Sequence, residues 1–422
     1  MTATRPRRRA HRGSALLAAV LLLGAVACSG DDGTDAASGD DGGTTTTAAT
    51  LVEPERFEGE TADFYVVPDP LPPGEPGDLI RVQELESGTD EVTLRIMYHS
   101  IDGAGRDRAV TGIATYPTAE PPEGGWPVVS TANGTVGLAG QCALSRHGSP
   151  AAAWGIEGVR VQSDYIGMGP VGEIHPYLSR LSEGHSVIDA VRAVRNLPDA
   201  NASERWVVAG HSQGGHGSLS AHELSEEYAP ELDLVATLTM APAAMFGDTF
   251  DDPMDSIVSN IVGMMGLRGN TTEHDELVFE DYAADSVVAL GDGIFTDQCL
   301  DGIISSLVSV AFGGLWKVDP YTTEPAASIL AANDVGFVAL DTPVFLVSGT
   351  ADDRVVIDRA LALFDRLCET GQNTQLLVID GADHGSVLGA TADRTAAWLN
   401  ARLDGEPPAD SCGDPDAKTP VA

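Results

Sequence analysis

Residues 208–216 read Val-Ala-Gly-His-Ser-Gln-Gly-Gly-His, and this stretch decides the fold. The hydrophobic residues 206–209 are typical of a buried strand, and residues 217–224 continue as an amphipathic helix. Ser212 lies between them on a tight turn, where flanking glycines let a strand and a helix approach each other closely. The pattern therefore predicts that the hydroxyl of Ser212 stands clear of a sheet and is available as a nucleophile.

A nucleophilic serine needs a histidine that takes its proton and a carboxylate that orients the histidine. The chain has ten histidines, and only His384 lies beyond His274. His384 follows the apolar stretch 375–378 after a short polar segment. We therefore expect it on a loop at the carboxyl end of a parallel strand, where catalytic side chains collect.

The chain order serine, acid, histidine is that of the α/β-hydrolases, so the acid should follow the preceding strand. That strand, at 343–348, is followed by the adjacent Asp352 and Asp353. We expect Asp352 to be the acid, because Val355 can anchor the next helix, and Asp353 to cap that helix or pair with Arg354. Any one of these residues, taken alone, is better explained as an ordinary loop or surface residue. Three of them in this order, each after a predicted strand, favour a catalytic triad.

A tetrahedral intermediate also needs backbone N–H donors for its oxyanion. We expect one from Gln213, the residue after the nucleophile. The second should come from the loop after strand 127–132, which reads Asn-Gly-Thr-Val-Gly from residue 133. We favour Thr135, with Gly134 second, over the alternative of a plain glycine turn.

Strands and helices alternate along much of the chain, which predicts an α/β fold with a mainly parallel central sheet and helices on both faces. We expect antiparallel edge strands at 91–101 and 109–116, further strands at 127–132, 159–163, 205–210, 233–240, 343–348 and 375–380, and helices at 178–196, 214–228 and 387–403.

The alternation breaks at 245–335, where apolar residues including Met254, Met264 and Met265 recur at helical spacing. We expect a mostly helical cap or lid insertion there. Its methionine-rich helix either borders an acyl-chain groove or packs the cap onto the main domain.

Residues 1–28 are expected to form a lipoprotein-type signal peptide. Five arginines precede an apolar run that is too short for a membrane-spanning helix, and small residues precede Cys28, the expected site of lipidation. Ordinary secretory cleavage nearby is the alternative. Residues 29–55, rich in Ser, Gly, Asp and Thr, are expected to be a disordered tether. The hydrolase core would then comprise 56–244 and 336–422, the latter including the C-terminal tail.

The net charge of −39 limits the classes of partner. Without residues 1–28 the chain carries 19 basic and 63 acidic residues, a net charge of −44. This charge repels nucleic acid, so we expect no nucleic-acid partner. Neither of the two lysines lies in a phosphate-binding loop, and the cysteines lack metal-ligand spacing. We therefore expect neither a cofactor nor a metal.

The five cysteines fit an exported protein. With Cys28 reserved for lipid, the other four allow three pairings. We expect Cys142–Cys299, which would tie the cap to the oxyanion loop, and Cys368–Cys412, which would pin the C-terminal tail.

Several motifs beyond the triad resemble those of the secretory lipase family of α/β-hydrolases, the lipase A type. They are Asp63-Phe64-Tyr65, Pro76 to Arg81, Asn133-Gly134-Thr135 leading to Cys142-Ala143-Leu144-Ser145, Asp164 to Gly169 followed by His175-Pro176-Tyr177, and Ser186 to Arg195. The resemblance implies a helical cap, disulfides and hydrolysis of fatty-acid esters, with Ser212, Asp352 and His384 at the triad positions.

These observations favour a secreted, lipid-anchored serine ester hydrolase that acts on a small-molecule ester or lipid through an acyl-enzyme. Its membrane contact would come from the N-terminal lipid anchor on the outer face of a bacterial membrane. An acyltransferase or peptidase could use the same triad, because the triad does not dictate the acceptor. A non-catalytic surface-binding lipoprotein is the alternative from another class, and the intact triad argues against it.

Overall fold

The computed structural model describes residues 53–245 and 257–422. These residues contain a ten-stranded sheet. The expected signal peptide with Cys28, residues 29–52 of the expected tether, and Met254 lie outside these residues. The strands are β1 Glu55–Arg56, β2 Leu79–Ser87, β3 Glu91–Ile101, β4 Asp107–Pro117, β5 Trp126–Ala132, β6 Val159–Ser163, β7 Ala202–His211, β8 Asp233–Met240, β9 Val344–Gly349 and β10 Thr374–Ile379.

The strand order is β1-β2-β3-β4-β6-β5-β7-β8-β9-β10. Strands β2, β3, β4 and β6 pair antiparallel, whereas β6, β5, β7, β8, β9 and β10 are parallel to one another. Because all the parallel strands end at the same edge, the segments after β5, β7, β9 and β10 meet there. The four segments expected to hold the catalytic groups therefore share one rim.

Two expectations about the antiparallel end of the sheet were wrong. The strands β3 and β4 are not at the edge, because β2 pairs with β3 and β1 pairs with β2. Glu55 belongs to β1, although we expected it in the tether. The buried Arg81 interrupts the apolar pattern of β2. Its Nη1 donates to the carbonyls of Phe64 and Val66, and its Nη2 forms an ion pair with Glu55 at 3.0 Å.

Helices cover the sheet, and the described residues contain eleven of them. They are α1 Thr61–Phe64, α2 Arg180–Arg195, α3 Gln213–Tyr228, α4 Ile257–Asn270, α5 Phe279–Tyr282, α6 Asp285–Val288, α7 Gly293–Thr296, α8 Leu300–Val310, α9 Ala326–Ala332, α10 Ile357–Thr370 and α11 Ser386–Leu403. In residues 53–245 and 257–422, no helix combines the length and the apolar character needed to cross a membrane.

The six helices α4 to α9 lie between β8 and β9, where we expected a cap. Met264 and Met265 of α4 are fully buried and pack among Tyr177, Phe295 and Leu307. The contacts of these two methionines therefore favour the packing interpretation over an acyl-chain groove.

Two disulfides join the four cysteines as expected. Cys142 is bonded to Cys299, the residue before α8, and Cys368 of α10 is bonded to Cys412 of the tail. The first bond ties a cap helix to the segment that follows β5.

Candidate active site

Ser212 lies at the turn between β7 and α3, with a backbone φ of 61° and ψ of −119°. A non-glycine residue in this region is strained, as expected for a nucleophile on a tight turn. Its N–H donates to the carbonyl of Met240 at 2.9 Å, which fixes the turn against β8. A Cβ at Gly210 would overlap the carbonyl of Gly214, and a Cβ at Gly214 would overlap the carbonyl of Ala132, so both the strand and the helix need glycine here.

Asp352 and His384 form a buried pair at the ends of β9 and β10. The Nδ1 of His384 lies 2.8 Å from Oδ2 of Asp352, and each residue is no more than 6% exposed. The other oxygen of Asp352 accepts the N–H groups of Arg354 and Val355, both at 2.9 Å. With a carboxylate as acceptor, Nδ1 of His384 carries the proton and Nε2 is left as the base.

The hydrogen bonds to Asp352 keep it ionised. Burial alone would raise its pKa, but the bonds from His384 and from the amides of Val355 and Arg354 outweigh burial and lower the pKa. The neighbouring Asp353 is exposed and does not cap α10, because that helix begins at Ile357 with Val356 at its N-cap. The expected helix-capping role of Asp353 was therefore wrong.

His211, which precedes Ser212, joins the serine turn to the loop of His384. Its Nε2 donates to the carbonyl of His384 at 2.7 Å, and the two rings lie 4.5 Å apart between centroids. The described residues include no hydrogen-bond partner for the Ser212 hydroxyl. Hydrogen bonds of catalytic groups often form only when substrate is bound. The structure thus brings Asp352 and His384 into contact, and it places His384 against the residue next to Ser212.

The expected oxyanion donors are unused in the described structure. Among the described residues, the N–H groups of Gln213, Gly134 and Thr135 donate to no acceptor. Gln213 begins α3, where free N–H groups and the helix dipole favour negative charge. The loop after β5 approaches the serine turn, since a Cβ at Gly134 would lie 3.5 Å from the carbonyl of His211.

A fully buried pair of charges that the sequence did not reveal lies behind the serine turn. Oε2 of Glu183 on α2 is 2.6 Å from Nδ1 of His216 on α3, and both side chains are inaccessible to solvent. The Nε2 of His216 donates to the carbonyl of Asn333. Because both ring nitrogens then act as donors, His216 is an imidazolium.

The pKa shifts of this pair follow from its geometry. Burial alone would raise the pKa of Glu183, but the adjacent imidazolium of His216 outweighs burial and lowers it. Burial alone would lower the pKa of His216, but Glu183 raises it. One signal for His216 was in the sequence, since it lies four residues after Ser212, within the predicted helix 214–228. Glu183 gave none, because its partners are distant along the chain.

Among the described residues, no group of three or more His, Cys, Asp or Glu side chains is arranged to hold a metal ion.

Comparison with known proteins shows which family the sequence matches. A sequence model of the family described as secretory lipase matches residues 156–411. A probable inactive lipase of Mycobacterium tuberculosis (strain CDC 1551 / Oshkosh) is 25% identical over 239 residues, which cover 53% of this chain and 51% of that protein. Lipase 1 of Candida albicans is 23% identical over 256 residues, covering 54% and 52%. The chain thus spans about half the length of the curated relatives it matches.

Solved structures confirm the α/β-hydrolase fold. The rice cell wall degrading esterase LipA of Xanthomonas oryzae aligns with a TM-score of 0.66 at 19% identity, covering 79% of this chain and 100% of that one. Candida antarctica lipase A in its closed state aligns with a TM-score of 0.69 at 17% identity, covering 85% and 88%. At these identities the likeness concerns the fold.

Proposed function

Because the chain belongs to the secretory lipase family, we propose that it is a serine hydrolase of carboxylic or fatty-acid esters. The observation that carries the proposal is the buried Asp352–His384 pair at 2.8 Å, held by His211 against the strained turn of Ser212. These two hydrogen bonds join the segments that follow β7, β9 and β10, which supports a common role for Ser212, Asp352 and His384.

The residues divide the reaction between them. His384 takes the proton of Ser212 through Nε2, and the serine oxygen attacks the ester carbonyl. Asp352 remains ionised and stabilises the imidazolium. The N–H of Gln213 and that of Thr135, or of Gly134, stabilise the oxyanion. His384 then protonates the departing alcohol. Water, which loses its proton to His384 in the same way as Ser212 did, then hydrolyses the acyl-enzyme.

A fluorophosphonate probe tests the nucleophile. We expect wild-type protein and S218A to be labelled and S212A to remain unlabelled. Ser218 is the matched control, because it lies on α3, the helix that begins directly after Ser212, and its hydroxyl only donates to the carbonyl of Gly215. Labelling of S212A equal to that of wild type would overturn the assignment.

Kinetics with p-nitrophenyl esters of increasing chain length test the activity. We expect kcat to fall by roughly 10⁴–10⁶-fold in S212A and by roughly 10³–10⁴-fold in D352N, whose amide disturbs the histidine tautomer. One relative is named a probable inactive lipase, so whether this protein is active needs a direct test. Wild-type protein that turns over no ester would overturn the proposed hydrolysis. Faster transfer to added alcohols, or cleavage of amides, would instead identify an acyltransferase or a peptidase.

We also propose that the protein is exported and carries lipid on Cys28. The N-terminal sequence pattern, the family's secretory name and two disulfides support export. Metabolic labelling with an alkynyl fatty acid should mark the wild-type protein in a membrane fraction. A C28S variant that is labelled and fractionates in the same way would contradict lipidation at this cysteine.

A further inference from the structure

We propose that the buried Glu183 is a positioning residue for the oxyanion donors, with His216 as its counter-ion. The inference rests on the proposed function, because it concerns the donors of that same site. The Glu183 carboxylate contacts Gln213, the residue of one expected donor, directly, and it reaches Thr135, the residue of the other, through Leu178 and Tyr177.

The first contact is with Gln213, whose N–H is the expected donor beside the nucleophile. The Nε2 of Gln213 donates to Oε1 of Glu183 at 2.7 Å. The same nitrogen lies 2.8 Å from Nε2 of His175, whose Nδ1 faces the carbonyl of Ile166. The Nδ1 of His175 therefore carries its proton, and its Nε2 accepts from Gln213. Both amide hydrogens of Gln213 are satisfied, so its side chain has one orientation and fixes the start of α3.

The second contact reaches the loop of Thr135. Oε1 of Glu183 also accepts the N–H of Leu178 at 2.9 Å, and Leu178 has a strained φ of 59°. The hydroxyl of the preceding Tyr177 lies 2.7 Å from Oγ1 of Thr135. Glu183 thus holds the strained turn that presents Tyr177, and Tyr177 holds the loop that carries the second donor.

The counter-ion His216 explains why a buried carboxylate can lie close to the oxyanion donors. An unpaired anion behind the oxyanion donors would oppose the charge that develops in the reaction. His216 neutralises Glu183 and, through the carbonyl of Asn333, connects the pair to the segment that follows α9. The pair therefore contributes hydrogen-bond acceptors without a net charge.

Substitutions at Glu183 separate positioning from general stability. Leucine in E183L keeps the volume but accepts no hydrogen bond. We expect kcat to fall about 10–100-fold with KM within about twofold of wild type, because only transition-state stabilisation is lost. The inhibition constant of a trifluoromethyl ketone, which forms a tetrahedral adduct, should rise by the same factor as kcat falls. The conservative E183Q can still accept from Gln213 and Leu178 and donate to a neutral His216, so we expect its kcat within about threefold of wild type.

The matched control is Glu223, a buried carboxylate on α3 that accepts the N–H groups of Gly336 and Phe337 at 2.7 Å. We expect E223L to lower the thermal midpoint as E183L does, while its kcat and ketone affinity remain those of wild type. If E183L does not fold, Q213M breaks the same hydrogen bond from the other side and should show the same loss of kcat.

Three results would contradict the inference. They are values of kcat and ketone affinity in E183L that match E223L, an E183Q as slow as E183L, or a Q213M with wild-type kcat. Wild-type protein and S212A are measured in parallel. Equal turnover by these two would overturn the proposed function itself, whereas Ser212-dependent turnover that is insensitive to E183L and Q213M overturns only the role of Glu183.

Discussion

His211 and His384 are in direct contact, with their rings 4.5 Å apart and a 2.7 Å hydrogen bond from Nε2 of His211 to the carbonyl of His384. Burial, and next the neighbouring His384, lower the pKa of His211 to about 4. At neutral pH His211 is therefore uncharged and can carry its one proton on Nε2. The residue before Ser212 thus anchors the loop of the expected base.

Replacing His211 tests this anchor. In H211F an aromatic ring remains against His384, but the donor to its carbonyl is lost. We expect kcat to fall about 10-fold with little change in KM, because a small displacement of the base is costly to proton transfer. Steady-state kinetics on a p-nitrophenyl ester would measure the change.

The exposed His147 provides the control, since H147F makes the same substitution outside the site. We expect its kinetics to match wild type. If H211F turned over substrate at the wild-type rate, the hydrogen bond to the carbonyl of His384 would have no positioning role.

The parts of the fold that the sequence predicted are those with local signals. The strands at 127–132 and 233–240 correspond to β5 and β8, because their side chains are buried on both faces and read as apolar runs. Asp352 and His384 were predicted as site residues for a similar reason, since each follows such a run. Their 2.8 Å contact then follows from the parallel order of β9 and β10.

The parts that it missed depend on partners far along the chain. Glu183 meets His216 across two helices, and a buried carboxylate has the same sequence appearance as an exposed one. Likewise, Arg81 in β2 looks like a surface residue until the distant carbonyls that accept from its guanidinium are known. In such cases tertiary hydrogen bonds override the local pattern.

The two disulfides should differ in their effect on activity. Cys299 pairs through its backbone with Gly137, and the next residue, Leu300, donates to the carbonyl of Val136. The Cys142–Cys299 bond therefore holds the loop that carries Thr135. We expect both C142S/C299S and C368S/C412S to lose about 2–4 kcal/mol of stability.

Only the first double variant should also lose activity, by about 10-fold in kcat/KM, because it loosens the oxyanion loop. Urea unfolding and ester kinetics on both variants would measure this. The second pair is the control, because Cys412 lies in the C-terminal tail. Equal kinetic effects of the two double variants would contradict a specific role for the first bond.

His222 should make the fold sensitive to acid. It is fully buried on α3, where Nε2 lies 3.0 Å from Oε1 of Gln372 and Nδ1 lies 2.9 Å from the hydroxyl of Thr237. Burial lowers its pKa to about 4, with only partial compensation from Gln372. Protonation of Nδ1 would also remove the acceptor of the Thr237 hydroxyl.

The sign of the effect follows from linkage. Between the ordinary histidine value of about 6.5 and the folded value of about 4, the unfolded chain binds a proton at His222 that the folded chain does not. The contribution of neutral His222 to the free energy of unfolding is therefore fully present well above about pH 6.5 and is lost as the pH drops. The loss is about 2 kcal/mol between pH 7 and pH 5. Asp164 and Asp189, whose pKa values burial raises to about 6, act in the opposite direction. They are present in both wild type and H222Q, so their contribution cancels in the comparison.

Urea unfolding at pH 7 and at pH 5 measures the effect. The loss of unfolding free energy between the two pH values should be about 2 kcal/mol smaller in H222Q than in wild type or in the exposed control H147Q. The same pH dependence in all three proteins would mean that His222 takes up its proton as readily in the folded chain as in the unfolded one.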